Sequence, residues 1–329
     1  MTAAEGFKYI IISGATASGK TSTSIEVAKF LKEKHKEKCE IINFDSLLFY
    51  KELNIGTAKP SQEQREGIRH HLIDISSVQH PINASMFVNL ARGTLNDFIA
   101  RKVIPIFVGG SAFYIRALIK GMISSYREVT AVDIDDDLSQ INCIKECRSK
   151  LIEYLEKYDP EIFCHFHRND TYRLTRAAEY FFFNCKKYST EISKSKINKP
   201  YDFMYNNKIP GEMLHIYLEI EKKTHQSIMI ERVEQMIHSG LIDEVRNILS
   251  KGFCQNLKPL NSIGYKETIK FLESPKECSV EDLKQNIFIS TRRLAKSQKT
   301  FFRKITPKLQ ICPLTDKQNL FKIVDKFID

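Results

Sequence analysis

Gly14, Ala15, Thr16, Ala17, Ser18, Gly19, Lys20 and Thr21 follow the pattern glycine, four residues, then Gly-Lys-Thr. In a loop of this kind the backbone N–H groups and the following helix N-terminus cradle a diphosphate. Lys20 adds a point charge, and the Thr21 hydroxyl can hold Mg²⁺. The motif does not say whether the diphosphate belongs to a nucleotide or to another molecule. A second group able to do chemistry is Asp45, which has no acidic neighbour in sequence until Glu52. Three roles are open to it: Mg²⁺ ligand, general base, or N-cap of a helix.

These residues need elements that bring them together. Lys8–Ser13 is a short β-branched run, so it reads as a buried strand, and an amphipathic stretch runs from Ser22 to about His35. A second strand, Glu40–Phe44, ends at Asp45-Ser46, and a third, Val103–Val108, ends at Gly109-Gly110 before a helix. Strands alternating with helices predict a parallel α/β sheet. Its sites gather beyond the carboxyl ends of the strands, where these three loops would meet. From about residue 124 the pattern changes: Asp133 to Asp137 form an acidic patch, and Ile141 to about Phe183 has a helical period. This gives a first part of the core at 1–123, a helical insertion at 124–200, and core completion with a basic helical region at 201–329. In that last part Met213–Leu218 reads as a strand, while Thr224–Ser239, Leu241–Ser250 and Val280–Lys304 read as helices.

Composition narrows the partners. The chain has 329 residues, 42% hydrophobic and 27% charged, with few Gly and Pro, which excludes wholesale disorder and collagen-like sequence. Its formal charge of +10 is uneven: residues 1–159 carry 21 basic and 20 acidic side chains, residues 160–329 carry 29 and 20. Lys284–Lys308 holds eight Lys/Arg and no acid, which fits either a solvated helix face or a surface that follows a phosphate backbone. The eight cysteines are scattered, without disulfide or zinc spacing, and no apolar run approaches the roughly 18 residues of a membrane span. Without a leader at Met1–Phe7, a reducing cytoplasmic location is expected.

Longer strings are more specific. Asp45-Ser-Leu-Leu-Phe-Tyr50, Asn54-Ile-Gly-Thr-Ala-Lys-Pro60, His70-His-Leu-Ile-Asp74 and Val108-Gly-Gly-Ser-Ala-Phe-Tyr114 resemble the tRNA dimethylallyltransferase family (isopentenyl-tRNA transferases). So do Asn169-Asp170 with Arg173, Arg176 and Ala177, then Arg232–Met236, Gly240–Val245, Ile263–Glu267 and Thr291–Gln298. The blocks run in family order over nearly the whole chain.

The resemblance implies a P-loop NTPase-like parallel sheet flanked by helices, with a mainly helical insertion domain. It implies transfer of a dimethylallyl group from dimethylallyl diphosphate to N6 of the adenosine 3′ of the anticodon, position 37, in tRNAs reading codons that start with U. In that reading Asp45 takes a proton from the amine and Thr16 contacts the leaving group near the reacting carbon. Gly14 to Thr21, with Lys222 and Arg232, bind the diphosphate, and Thr21 holds Mg²⁺. The target base must be flipped out of the anticodon loop. Asp45, Ser46, Leu47, Leu48 and Ser111 would line it, while Tyr172, Arg173, Leu174, Thr175 and Arg176 contact the tRNA. The Lys284–Lys308 run gains a use on the tRNA backbone, with Phe301 and Phe302 either gripping RNA or packing in the core. A monomer acting on the anticodon stem-loop, with no membrane partner, is expected.

The chain also departs from the family pattern. Lys222 and Ile228 stand where two arginines usually precede Arg232, Ser297 replaces an arginine, and Phe301 a tryptophan. Ala112-Phe113 replaces Gly-Leu, Arg69 a proline, and no Cys/His finger follows residue 304, which matches the compact bacterial type. Three other readings compete: prenyl transfer to free adenine nucleotides, a tRNA-binding protein without catalysis, and a plain P-loop kinase. Intact Asp45, Lys20, Thr21 and Ser111 favour the tRNA enzyme.

Overall fold

The computed structural model describes residues 6–122, 144, 147–194, 199–274 and 278–329. The acidic patch at Asp133–Asp137 and the start of the expected helical run at Ile141 lie outside the described residues. The chain divides into two compact units, residues 1–120 with 200–329, and residues 121–199.

The larger unit is built on a six-stranded sheet in which every pairing is parallel. In chain order the strands are β1 (Lys8–Gly14), β2 (Cys39–Asn43), β3 (His70–His71), β4 (Ile104–Gly109), β5 (Glu212–Leu218) and β6 (Leu309–Ile311). Across the sheet they run β3-β2-β4-β1-β5-β6. The chain leaves β1 towards one edge, returns with β4 beside it, and then crosses to β5, so β1 lies at the point where the winding reverses. That is where an open parallel sheet leaves a crevice beyond its carboxyl ends.

Both faces of the sheet are covered, which explains why its strands read as continuous apolar runs. Tyr9 and Ile11 of β1 point to one side, with Ile42, Phe107 and Tyr217, and pack on helices α2 (Ala84–Arg101) and α3 (Ala112–Lys120). Ile10 and Ile12 point to the other, with Ile41, Ile106 and Ile216, against α1 (Lys20–Phe30) and the C-terminal Lys317–Ile328 helix. The alternation follows from the two-residue period of a strand. A third apolar cluster lies away from the sheet, among helices Lys222–His238, Leu241–Ser250, Tyr265–Glu273 and Val280–Lys304, and closes over Tyr50 and Leu53.

The expected strands fall within one residue of the observed ones, and Leu241–Ser250 and Val280–Lys304 match as helices. The amphipathic stretch after the P-loop ends as α-helix at Phe30 and continues as a π-turn, Leu31–His35. β3 and β6, two and three residues long, have no counterpart among the expected strands. The smaller unit contains helices Arg148–Tyr158, Thr171–Asn184 and Tyr188–Lys194 around a core of Leu151, Leu155, Ile162 and Leu174.

The adjacent Phe301 and Phe302 separate cleanly. Phe302 is fully buried in the sheet-facing core beside Tyr217, whereas Phe301 is half-buried at its margin. Phe302→Ala should therefore cost about 3–5 kcal/mol, as expected for emptying a buried aromatic site. Phe301→Ala should cost less than half as much, with both measured by urea unfolding.

Candidate active site

A cleft of about 640 Å³ opens beyond the carboxyl ends of β1, β2 and β4. Thr16 to Ser22 of the P-loop line it, together with Asn43, Asp45, Leu48, Val108, Gly109, Ile228 and Arg232. The three loops expected to converge therefore do so.

The P-loop takes its shape from two left-handed residues, Ala17 and Gly19, at φ 60° and 78°. Lys20 folds back on its own loop, its Nζ donating to the Ala15 carbonyl at 2.7 Å. Burial lowers its pKa from 10.5 to about 8, while the Asp45 carboxylate opposes that shift and Arg232 reinforces it. Burial likewise depresses the Arg232 pKa, against the pull of Asp45. Lys20, Asp45 and Arg232 thus form one electrostatic group in the cleft. The cations are not fully compensated by protein, which suits them to an anionic ligand.

Asp45 is placed by a close approach of two strand ends. A Cβ on Gly109 would come within 2.7 Å of the Phe44 carbonyl carbon and 2.8 Å of the Asp45 nitrogen, so a side chain there would push β2 and β4 apart. The buried Asn43 completes the turn: its Oδ1 accepts from the Asp45 N–H at 2.9 Å and its Nδ2 donates to the Asp45 and Leu72 carbonyls. One Asp45 oxygen accepts from the Leu47 N–H at 3.2 Å, so the residue caps a turn rather than a helix. Its carboxylate still opens on the cleft. The Thr21 hydroxyl and the Asp45 carboxylate are hard oxygen donors beside a diphosphate cradle, and they suit Mg²⁺, which takes few protein oxygens and completes its shell with phosphate and water.

Three further groups support this centre. Gln298, from the Val280–Lys304 helix, accepts the Thr16 N–H at 2.8 Å and donates to the Gly110 carbonyl at 3.0 Å. His225, from the Lys222–His238 helix, donates from Nε2 to the Thr16 carbonyl at 2.9 Å. Burial holds its pKa below the ordinary 6.5, partly offset by that bond, so the ring is neutral. Glu244 accepts from the N–H groups of Asn54, Ile55 and Gly56, and from the Tyr265 hydroxyl at 2.6 Å. Gly56 is required there, because a Cβ would meet the Tyr265 ring at 2.5 Å. The loop so fixed presents the Thr57 carbonyl to the Arg232 guanidinium at 3.3 Å.

The other expected site residues are spread more widely. Gly14 and Ala15 lie in the loop but are not among the cleft-lining residues, and the same holds for Ser46, Leu47 and Ser111. Ser111 directly precedes α3, its carbonyl accepting from the Tyr114 and Ile115 N–H groups. Lys222 is exposed at the first turn of its helix, outside the cleft lining, whereas Ile228, six residues on, faces the cleft. In the smaller unit Tyr172 is 67% exposed, Arg173 pairs with Asp170 at 2.5 Å and Arg176 with Glu179 at 2.8 Å. Thr175 is half-buried. Leu174 is fully buried in that unit's own core, so its side chain is a packing group and not the tRNA contact expected of it.

His225, Gln298 and Glu244 carried no assigned role in the sequence, although two of them left a signal. His225 shares a helix stripe with Met229 and Val233, and Gln298 lies between Ala295 and Phe302; both stripes are otherwise buried. A polar residue on an apolar stripe requires a partner. Among the described residues no cluster of three or more His, Cys, Asp or Glu side chains could hold a metal, and the cysteines are free. No described helix is long and apolar enough to cross a membrane.

Comparisons agree with this architecture. The family model described as IPP transferase matches residues 48–305. A tRNA dimethylallyltransferase of Staphylococcus aureus is 33% identical over 314 residues, covering 94% of this chain and 93% of its own. The crystal structure of a tRNA delta(2)-isopentenylpyrophosphate transferase from Staphylococcus epidermidis superimposes with a TM-score of 0.66 at 29% identity, covering 98% and 99% of the two chains. A eukaryotic dimethylallyltransferase acting on tRNA has the same fold, with a TM-score of 0.77 at 24% identity over 98% of this chain and 80% of its own.

Two outcomes follow from this geometry. A bound anion favours protonated Lys20, so binding should take up a proton near pH 8 and weaken as pH rises above about 8, approaching tenfold per unit. Calorimetry with an alkyl diphosphate in buffers of different ionisation enthalpy measures both effects. Glu244→Ala frees the loop at 54–57 and should cost about 1.5–3 kcal/mol in urea unfolding. The same variant should weaken diphosphate binding, because Arg232 loses its fixed acceptor at Thr57.

Proposed function

This chain belongs to the IPP transferase family, and from that membership we propose that it transfers a dimethylallyl group from dimethylallyl diphosphate to a tRNA adenosine. The acceptor atom is N6 of adenosine 37 in tRNAs that read codons beginning with U, and the product is N6-dimethylallyladenosine. One observation carries the reading: Lys20, Thr21 and Arg232 share a single cleft with the Asp45 carboxylate, so an anion holder and a proton acceptor face the same space.

In this reaction the N6 lone pair attacks the allylic carbon. The C–O bond breaks, with its electron pair leaving on the diphosphate, and the N6 proton passes to Asp45. Lys20, the P-loop amides and the N-terminus of α1 receive the charge that develops on the departing oxygen. Thr16, pinned at both its N–H and its carbonyl, holds the cradle in register with the reacting carbon. Mg²⁺, when bound, would rest on the Thr21 hydroxyl and supply further charge stabilisation to the leaving group. An exocyclic adenine amine is a weak nucleophile, so much of the acceleration comes from positioning. The apolar lining at Leu48, Ile73 and Val108 suits a five-carbon chain.

Flipping the base out costs a few kcal/mol, and grip on the loop must offset that cost. The exposed Tyr172 and the neighbouring Arg173 support such a grip in the 121–199 unit. The test is to incubate the protein with labelled dimethylallyl diphosphate, Mg²⁺ and either tRNA or AMP. Label should appear on an adenosine of U-reading tRNA and not on AMP. Asp45→Asn should lower kcat by about 10²–10⁴-fold while tRNA affinity stays near wild type. Retained turnover in that variant would remove Asp45 from the base role.

A further inference from the structure

Arg116, on α3, is surrounded by aromatic rings rather than by acids. Its guanidinium carbon lies 5.8 Å from the Phe113 ring centroid and 5.9 Å from those of Tyr201 and Phe301. Tyr201 and Phe301 meet edge to face at 5.6 Å, and the Lys304 ammonium sits 5.5 Å from the Tyr201 ring. Among the described residues neither Arg116 nor Lys304 has a carboxylate within ion-pair distance or a hydrogen-bond acceptor. Phe113 is 46% exposed.

Rings packed about a guanidinium restrain its plane and leave the N–H edge free. That is a preformed fork for a phosphate, with a second cation beside it and an open ring on which a base can stack. An acidic peptide would use the cations but has no need of the exposed ring, so a single-stranded nucleic acid is the better fit. Location supports the same partner. Phe301 is one helical turn beyond Gln298, and Phe113 is three residues beyond Gly110, the two residues whose hydrogen bond ties the Val280–Lys304 helix to the end of β4 beside the P-loop. The cluster also gathers two of the chain's departures from the family pattern, Phe113 for leucine and Phe301 for tryptophan.

We propose that Arg116, framed by Phe113, Tyr201 and Phe301 and flanked by Lys304, is a nucleotide subsite that grips the single-stranded RNA next to the base being modified. This rests on the reading of tRNA as the acceptor. In it a phosphate pairs with Arg116 and Lys304, and a neighbouring base stacks on Phe113.

The experiment measures binding of the full chain to an unmodified anticodon stem-loop across a salt series, alongside prenylation of the same stem-loop. Arg116→Ala should raise Kd about tenfold and reduce the slope of log K against log salt by about 0.7, the loss of one single-strand phosphate contact. Arg116→Lys should keep the slope while losing part of the affinity. Phe113→Ala, an exposed position that the fold does not need, should weaken binding about threefold or more with the slope unchanged. All three should bind dimethylallyl diphosphate as the wild type does. If the wild type prenylates the stem-loop and Arg116→Ala binds it with unchanged affinity and slope, the subsite is wrong and the acceptor reading stands. If affinity falls equally for RNA and for dimethylallyl diphosphate, Arg116 is only a packing residue and the subsite is again overturned. A wild type that neither binds nor prenylates the stem-loop overturns both readings.

Discussion

The geometry of this centre depends on one amide side chain. A P-loop leaves its sheet after β1 and has no strand partner of its own, so its backbone groups must be satisfied from outside. Gln298 does this for Thr16, accepting its N–H and donating to the carbonyl of Gly110 at the end of β4. His225, from a second helix, donates to the Thr16 carbonyl. The two helices that supply these side chains pack on each other, so the loop is held by a helical layer as well as by the sheet. Because Gly109 in turn abuts the backbone of Phe44 and Asp45, the same constraint reaches Asp45. Displacing Gln298 would therefore disturb the phosphate cradle and loosen its register with Asp45, although the residue itself touches no reacting atom.

Electrostatics follow from that frame. Charges removed from water are costly unless paired, and here two cations share one carboxylate. Lys20 offsets part of the cost by donating to Ala15, and Arg232 by donating to Thr57, a carbonyl fixed in turn by Glu244 and Tyr265. Burial and the adjacent Glu244 carboxylate keep the Tyr265 phenol protonated far above its usual range, so it remains a donor to Glu244. Two buried cations facing one carboxylate leave the cleft short of a negative charge, which suits it to an anion.

Much of this was legible in the sequence because it depends on short-range patterning. The P-loop, β1, β2, β4 and β5 announce themselves through apolar runs ending in small or polar residues, and Asp45 through its place after the second strand. β3 and β6 carry no such signal, since two or three paired residues have no period to detect. The support network was harder still. Glu244 holds a loop some 190 residues earlier, and its sequence neighbourhood is that of an ordinary surface helix start. Leu174 erred in the opposite direction: it sits in a motif with exposed neighbours, but its helical phase turns it inward. Its place in the motif points to RNA, whereas its helical phase, shared with Ala177 and Ala178, puts it in the core.

The position of Ile228 bears on how the cation deficit is met. It faces the cleft four residues before Arg232, on the same face of the helix, where the family pattern calls for an arginine. Lys222 cannot reach across for it, because six residues of helix separate the two by about 9 Å along the axis and turn it well away from the cleft. Ser297 removes a further arginine next to Gln298. The cleft is left with Lys20, Arg232, the loop amides and the partial positive charge at the start of α1. An apolar group at 228 compensates in a different currency: it leaves Arg232 without a like-charged neighbour at that position, so less charge repulsion accumulates in the empty cleft. The cleft thus offers more fixed backbone dipoles than cations, and the chain's excess of Lys and Arg lies elsewhere. Much of that excess is on the Lys284–Lys308 stretch, where Lys304 joins Arg116 beside the aromatic cluster. On the proposed reading, a cleft whose donors are preorganised needs few cations, whereas a surface that follows a flexible phosphate chain needs many.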